Sequence, residues 1–156
     1  MLSAIQVIRH GFRVFKLEAH ENYSDESHFV SHYGVEAARR HGEDERDLWD
    51  VTLSYRFGTK EGEPKGRYEG EIAVEGVFSI RPDFPEEKKE SLACMNGGAV
   101  LLGAVREAVL NQTIRCVNGP VELPLVDARS FLPQEEREKP LLPDRKSKGT
   151  DSGSLP

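Results

Sequence analysis

The sequence predicts an α+β fold: a four-stranded antiparallel sheet packed on a long helix. Three observations lead there. Two consecutive segments alternate apolar and polar residues with period two, a long stretch further on lacks any strong breaker, and strands precede helices along the chain. The domain is expected over residues 1–132, with a polar tail over 133–156.

The clearest strand is Arg67 to Ile80. Tyr68, Ile72, Val74, Phe78 and Ile80 fall on one face, and Glu69, Glu71 and Glu75 on the other. Gly70 and Gly76 join the apolar face, where a missing side chain lets a large neighbour approach. Leu48 to Phe57 repeats the pattern, with Trp49, Val51, Leu53, Tyr55 and Phe57 on one side. The turn-rich run from Gly58 to Gly66 between them predicts an antiparallel hairpin. Two earlier strands are expected. Phe29, Tyr33 and Val35 alternate with His28, His32 and Glu36. At the start Ile5 and Val7, then Phe12 and Val14, then Phe15 and Leu17 switch phase, which predicts a bulge or bend around Gly11. Arg39 to Asp47 reads as a charged loop.

Pro82 and Pro85 end the last strand. A short helix is expected from Glu86 to Met95, with Asp83 as its cap and Asn96-Gly97-Gly98 as its break. Ala99 to Val117 then predicts a helix of about 18 residues, roughly 27 Å long, stopped by Asn118-Gly119-Pro120. Its apolar residues lie on more than one side, more than one sheet covers, so Leu101, Val105, Ala108 and Val109 are expected at an oligomer interface. The tail from Pro133 carries five acidic residues, five basic residues and four prolines, a composition that predicts disorder.

Composition narrows the function. The chain holds 27 acidic and 21 basic residues, a formal charge of −6. That balance repels phosphates and disfavours a nucleic-acid partner. No stretch in the sequence approaches the roughly 18 apolar residues of a membrane span, and the start has no secretory signal, so a cytoplasmic protein without membrane insertion is expected. Two cysteines, Cys94 and Cys116, are too few for a disulfide framework or a four-cysteine zinc site. His28 and His32 are four apart, but on a strand that spacing is about 13 Å, too wide for one metal. Gly97-Gly98 lacks the lysine of a phosphate loop. No metal, cofactor or catalytic residue is expected.

Three runs, Glu71 to Ile80, Cys94 to Glu107 and Asn118 to Asp127, resemble motifs of SecB, the bacterial protein-export chaperone. Glu71-Ile-Ala-Val-Glu-Gly-Val-Phe-Ser-Ile80 is similar to that family's last strand. Cys94-Met-Asn-Gly-Gly-Ala-Val-Leu-Leu-Gly-Ala-Val-Arg-Glu107 resembles the run into its long helix, and Asn118-Gly-Pro-Val-Glu-Leu-Pro-Leu-Val-Asp127 resembles the loop that follows. Ile5-Gln-Val-Ile and Leu17-Glu-Ala19 fit its first strand. The likeness spans residues 5 to 131. It departs at Leu102-Gly103-Ala104, where an aromatic pair is usual, and after Val126, where Pro133 and Pro140 replace a last helix. The chain is therefore identified as a divergent SecB-like protein.

The resemblance implies an ATP-independent holdase that binds unfolded polypeptides and keeps precursors export-competent for the Sec pathway. It implies a peptide-binding groove at Phe78, Leu101, Leu125 and Phe131, and a dimer or tetramer through the long helices. It implies a docking face for the export motor SecA at Glu18 and Glu71, with Glu75 on the same acidic face. Val14 and Glu69 stand where an acid and a leucine are usual, which favours a second reading: a chaperone guarding the antitoxin of a toxin–antitoxin pair. A reading from another class is a small hot-dog-like enzyme, which needs a polar catalytic residue projecting from the helix. Glu107 is the only acid inside that helix.

Overall fold

The structure, a computed structural model, describes residues 3–41 and 46–137. Four strands are present: β1 (Ile5–Ala19), β2 (Phe29–Arg39), β3 (Asp47–Thr59) and β4 (Tyr68–Ile80). They form one antiparallel sheet in the order β1-β4-β3-β2, so the predicted hairpin β3–β4 occupies its middle. The phase switches in β1 are two bulges. Ile8 and Arg13 are each the extra residue where the pairing with β4 shifts, on either side of Gly11. As a result Ile5, Val7, Phe12, Phe15 and Leu17 share the inner face, while Val14 pairs with Ala73 on the outer one.

After β4 the backbone stays helical from Glu86 to Thr113. A 3-10 turn (Glu86–Lys88) leads into α1 (Lys89–Leu92), a π turn (Ala93–Gly97) and α2 (Gly98–Thr113). This corrects three expectations. Asn96-Gly97-Gly98 does not break the helix, because the π turn absorbs the extra residue. The glycines serve packing: a Cβ on Gly98 would lie 2.8 Å from the Phe131 ring and 3.0 Å from Val35. Asp83 caps nothing. It pairs with Arg81 at 2.5 Å, and the helix start has no side-chain cap. The helix ends at Thr113 rather than Val117. There Thr113 Oγ1 donates to the Val109 carbonyl at 2.8 Å and accepts the Val121 N–H at 3.0 Å. Among the described residues this helix, where no span was expected, is long and apolar enough to cross a membrane by length and composition alone. Its sheet-facing side is core.

The chain then turns through Gly119, at φ 79°, and runs back as an extended strap to a 3-10 turn at Ala128–Phe131. Asn118 Nδ2 holds the turn by donating to the His20 and Arg67 carbonyls, at 2.8 and 3.0 Å. Leu123 is buried, and Arg106 Nε donates to its carbonyl at 2.8 Å. The core is one layer between the inner face (Val51, Leu53, Ile72, Val74, Phe78 and Ile80) and the helix (Leu101, Val105 and Val109). Gly76 sits beneath that contact, where a Cβ would press the Phe78 ring at 2.7 Å and Leu101 at 3.0 Å.

Of the expected tail, Gln134–Arg137 forms one helical turn, α3, tied to the domain by Glu136 accepting from Ser91 Oγ. Residues 138–156 lie outside the described residues, as does part of the Arg39–Asp47 loop.

Candidate functional site

The helix is narrower than the sheet, so the inner face has a covered middle and two uncovered flanks. On the β2 flank the rings of five residues follow one another. Phe29 and Phe57 centroids are 5.7 Å apart, and Tyr55 and Phe57 6.2 Å. Tyr33 stacks on Tyr55 at 6.1 Å and meets Phe131 edge-on at 5.7 Å. Tyr55, Phe57 and Phe131 are buried, whereas Phe29 is 45% exposed and Tyr33 36%. Tyr33 OH donates to Ser130 Oγ at 3.1 Å, which fixes the end of the strap beside the flank. Below it Phe29, Phe57, Tyr68 and Val121 line a hollow of about 220 Å³, with Asp25 and Arg67 at its rim. The β1 flank shows Val7, Phe12 and Phe15, the last two edge-to-face at 5.5 Å.

The four residues expected to form a groove do not line one together. Phe78, Leu101 and Phe131 are core residues beneath α2 and the strap, while Leu125 stands 82% exposed on the strap. On the β2 flank the uncovered rings are instead Phe29 and Tyr33. Their alternation was visible in the sequence, but what exposes them is the position of β2 at the sheet edge, which depends on strand order.

The residues expected at an oligomer interface lie on α2. Leu101, Val105 and Val109 face this chain's own sheet with no exposure, and Ala108 is only half-buried. The sheet covers one side of α2, and the strap meets it through Leu123 and Arg106. Val100, 44% exposed, is the large apolar residue that α2 leaves outward.

Glu18, Glu71 and Glu75 do share the outer face, as alternation requires. They do not make it acidic. Glu75 receives Arg13 through two contacts, at 3.0 and 2.5 Å. Glu71 lies 3.5 Å from Arg56 and opposite Lys16 in the β1 register. Neighbouring Glu69 is paired with Lys65 at 2.8 Å. The Arg13 hydrogen bond, and then its charge, hold the Glu75 carboxyl below the usual range. Each glutamate of β4 is thus matched by a cation from β1, β3 or the β3–β4 loop.

A buried polar cluster anchors the helix start. Asp47 accepts from Lys89 Nζ at 2.5 Å, from Arg39 Nε at 2.9 Å and from Trp49 Nε1 at 3.1 Å. Glu86 lies 2.8 Å from Lys89 and also pairs with Arg39. Burial by itself pushes the Asp47 carboxyl up, but the Lys89 hydrogen bond and charge, the Arg39 charge and the indole together bring it below its ordinary value. These groups satisfy one another, and the cluster joins β2, β3 and the helix.

Other reactive groups are placed as follows. Cys94 is buried, and burial first, then Glu90 and Glu136, push its thiol up to about 11, so it stays protonated. Glu107, the residue the enzyme reading needs, is exposed on the side of α2 away from the sheet. His28 Nδ1 lies 2.7 Å from Glu63 in the adjoining loop.

The sequence matches no protein-family profile and no curated protein. The backbone does resemble solved structures. One is the Mycobacterium tuberculosis SecB-like chaperone Rv1957 in complex with a ChAD peptide from the Rv1956 HigA1 antitoxin. Its TM-score is 0.57 at 15% identity, covering 79% of this chain and 91% of that one. Another is a Streptococcus agalactiae protein of unknown function, with TM-score 0.42 at 16% identity, covering 79% of this chain and 100% of that one. The first match defines the class of architecture: the chain has the SecB-like fold, a four-stranded antiparallel sheet on one long helix.

Proposed function

We propose that this protein is an ATP-independent chaperone that holds a non-native polypeptide segment. The observation that carries the reading is the uncovered aromatic flank at β2, Phe29 and Tyr33 backed by Phe57, Tyr55 and Phe131, on a fold shared with a peptide-binding chaperone. Aromatic rings supply apolar contact without sequence specificity, which a holdase requires. The test is aggregation of a chemically unfolded substrate without ATP. Suppression at equimolar subunits is expected, and an unchanged aggregation curve refutes the reading.

The client we favour is an antitoxin segment, because the SecB-like neighbour was solved with one. Delivery of precursors to SecA is the second reading. It rests on Glu18, Glu71 and Glu75, and the cations beside Glu71 and Glu75 weaken it, since a basic partner would have to displace them. Direct binding of the SecA tail separates the two, and no binding is expected. We place the protein in the cytoplasm as a dimer or tetramer, with 138–156 dispensable for folding. Light scattering of the full chain and of a chain truncated after Arg137 should give the same oligomer larger than a monomer.

A further inference from the structure

His20 follows the last residue of β1, and both of its backbone groups are engaged. Its N–H donates to the Arg67 carbonyl at 3.0 Å. Its carbonyl accepts from Asn118 Nδ2 at 2.8 Å, a bond that holds the turn into the strap. The ring is packed away from solvent, with the side chain 12% exposed. Its Nε2 is buried, and no hydrogen bond among the described residues reaches it. Glu69 Oε2 lies 3.6 Å away, just outside hydrogen-bond reach.

The charges around this ring are short of one cation. From β1 comes Glu18, directly opposite Glu69 of β4 in the register, and like charges so placed repel. From the β3–β4 loop come Lys65, 2.8 Å from Glu69, and Arg67, which is already paired at 2.7 Å with Asp25 of the β1–β2 loop. Tyr68 of β4 donates its hydroxyl to the Gly119 carbonyl at 2.6 Å, with the free thiol of Cys116 beside it. Two carboxylates thus share Lys65, whose charge acts on both. The Lys65 hydrogen bond above all holds the Glu69 carboxyl below its usual range, so it is ionised wherever a histidine takes up its proton.

We propose that His20 is a proton-operated latch on the strap: with a proton from solvent its ring donates from Nε2 to Glu69 and fixes the turn at Asn118, and without it the turn is held less tightly. Protonation makes both ring nitrogens donors, so Nε2 then has a hydrogen to give. The gap to Glu69 closes to the roughly 2.7–2.9 Å of a charge-assisted bond. Because the His20 carbonyl carries the Asn118 contact, drawing this residue onto β4 steadies the start of the strap. The Glu69 bond exists only in the folded chain, so a proton held there adds stability as pH falls through the histidine range, about pH 8 to 5. This device is independent of the chaperone reading: it governs how firmly the strap is held, not what the aromatic flank binds.

Hydrogen exchange of the full chain tests it, read by mass spectrometry over the turn from Ile114 to Leu123 and corrected for the intrinsic effect of pH. Protection there should be about fivefold greater at about pH 6 than at about pH 8. His20→Gln keeps a neutral polar side chain that takes no proton, and Glu69→Gln removes the charge that receives it. Both variants should lose the difference. His28→Gln, which removes the other histidine paired with a glutamate at this end of the sheet, should keep it. Equal protection of the parent at the two pH values overturns the proposal. So does a difference that survives in either His20→Gln or Glu69→Gln, and if one of these fails to fold the other decides. Loss of the difference in His28→Gln assigns the proton to the His28–Glu63 pair and also overturns it.

Discussion

The inner and outer faces of this sheet come from the same four strands and share the same alternation, yet they are held by different forces. The inner face under α2 is dry: Val51, Leu53, Ile72, Val74 and Phe78 meet Leu101, Val105 and Val109 with almost no exposure. The outer face is a lattice of solvated ion pairs, Arg13–Glu75, Arg56–Glu71 and Arg40–Asp50, with side chains roughly half exposed. Buried apolar contact stabilises by area and cannot be replaced by water, whereas an exposed pair gives up little when broken. Stability should therefore follow the inner face. The outer face should tolerate change, and client binding should depend on the flank where the inner face meets solvent.

Val105→Asp should have the largest effect. It puts a charge against the sheet with no partner, and a cost of several kcal/mol approaches the whole stability of a small domain, about 5–15 kcal/mol. Circular dichroism should show an unfolded or aggregated protein. A folded variant that merely dissociates would mean that Val105 faces another subunit after all.

Next comes the anchor of the helix. Lys89→Met leaves Asp47 buried with Arg39 and Trp49 alone, and should cost about 2–3 kcal/mol in a denaturant titration. Its pH dependence has a definite sign. Because the Asp47 carboxyl is lowered in the folded state, its contribution is complete above its unfolded value, about 3.9, and is lost as pH falls through the folded one. The gap in stability between the parent protein and Lys89→Met should therefore narrow as pH falls below about 4. A gap that stays constant to lower pH would show that the pair does not matter in this way.

The flank should separate binding from folding. Phe29→Ser with Tyr33→Ser removes two partly exposed rings and should lower stability by only about 1–2 kcal/mol, while suppression of aggregation falls severalfold. Equal suppression by this variant would move the client site to the β1 flank, at Val7, Phe12 and Phe15.

The smallest effect is expected on the outer face. Glu71→Lys with Glu75→Lys breaks two exposed pairs and should leave the fold and aggregation suppression intact, with a slight loss of melting temperature that salt diminishes. A large loss would make the ion-pair lattice part of the structural core.

Much of this architecture was legible in the sequence. Period two in Leu48 to Phe57 and in Arg67 to Ile80 gave two strands and a hairpin, and the phase switches in the first strand located its irregularity near Gly11. Side-chain alternation belongs to the extended backbone itself, so it appears in local sequence whatever the strand pairs with. For the same reason the outward placement of Glu18, Glu71 and Glu75 followed from their neighbours. Only the tertiary structure decided the rest. That β1 pairs with β4 and leaves β2 at an edge is a contact between residues far apart in the chain, and it determines which aromatic rings stay uncovered. Asn96-Gly97-Gly98 reads as a break because glycine is flexible in isolation, but here Val51, Phe131 and Val35 press against the place where side chains would be and keep the helix going. The outer face read as acidic because one strand was seen alone. Its charge is set across strands, where Arg13 and Arg56 meet Glu75 and Glu71, and such pairing depends on register rather than on local sequence.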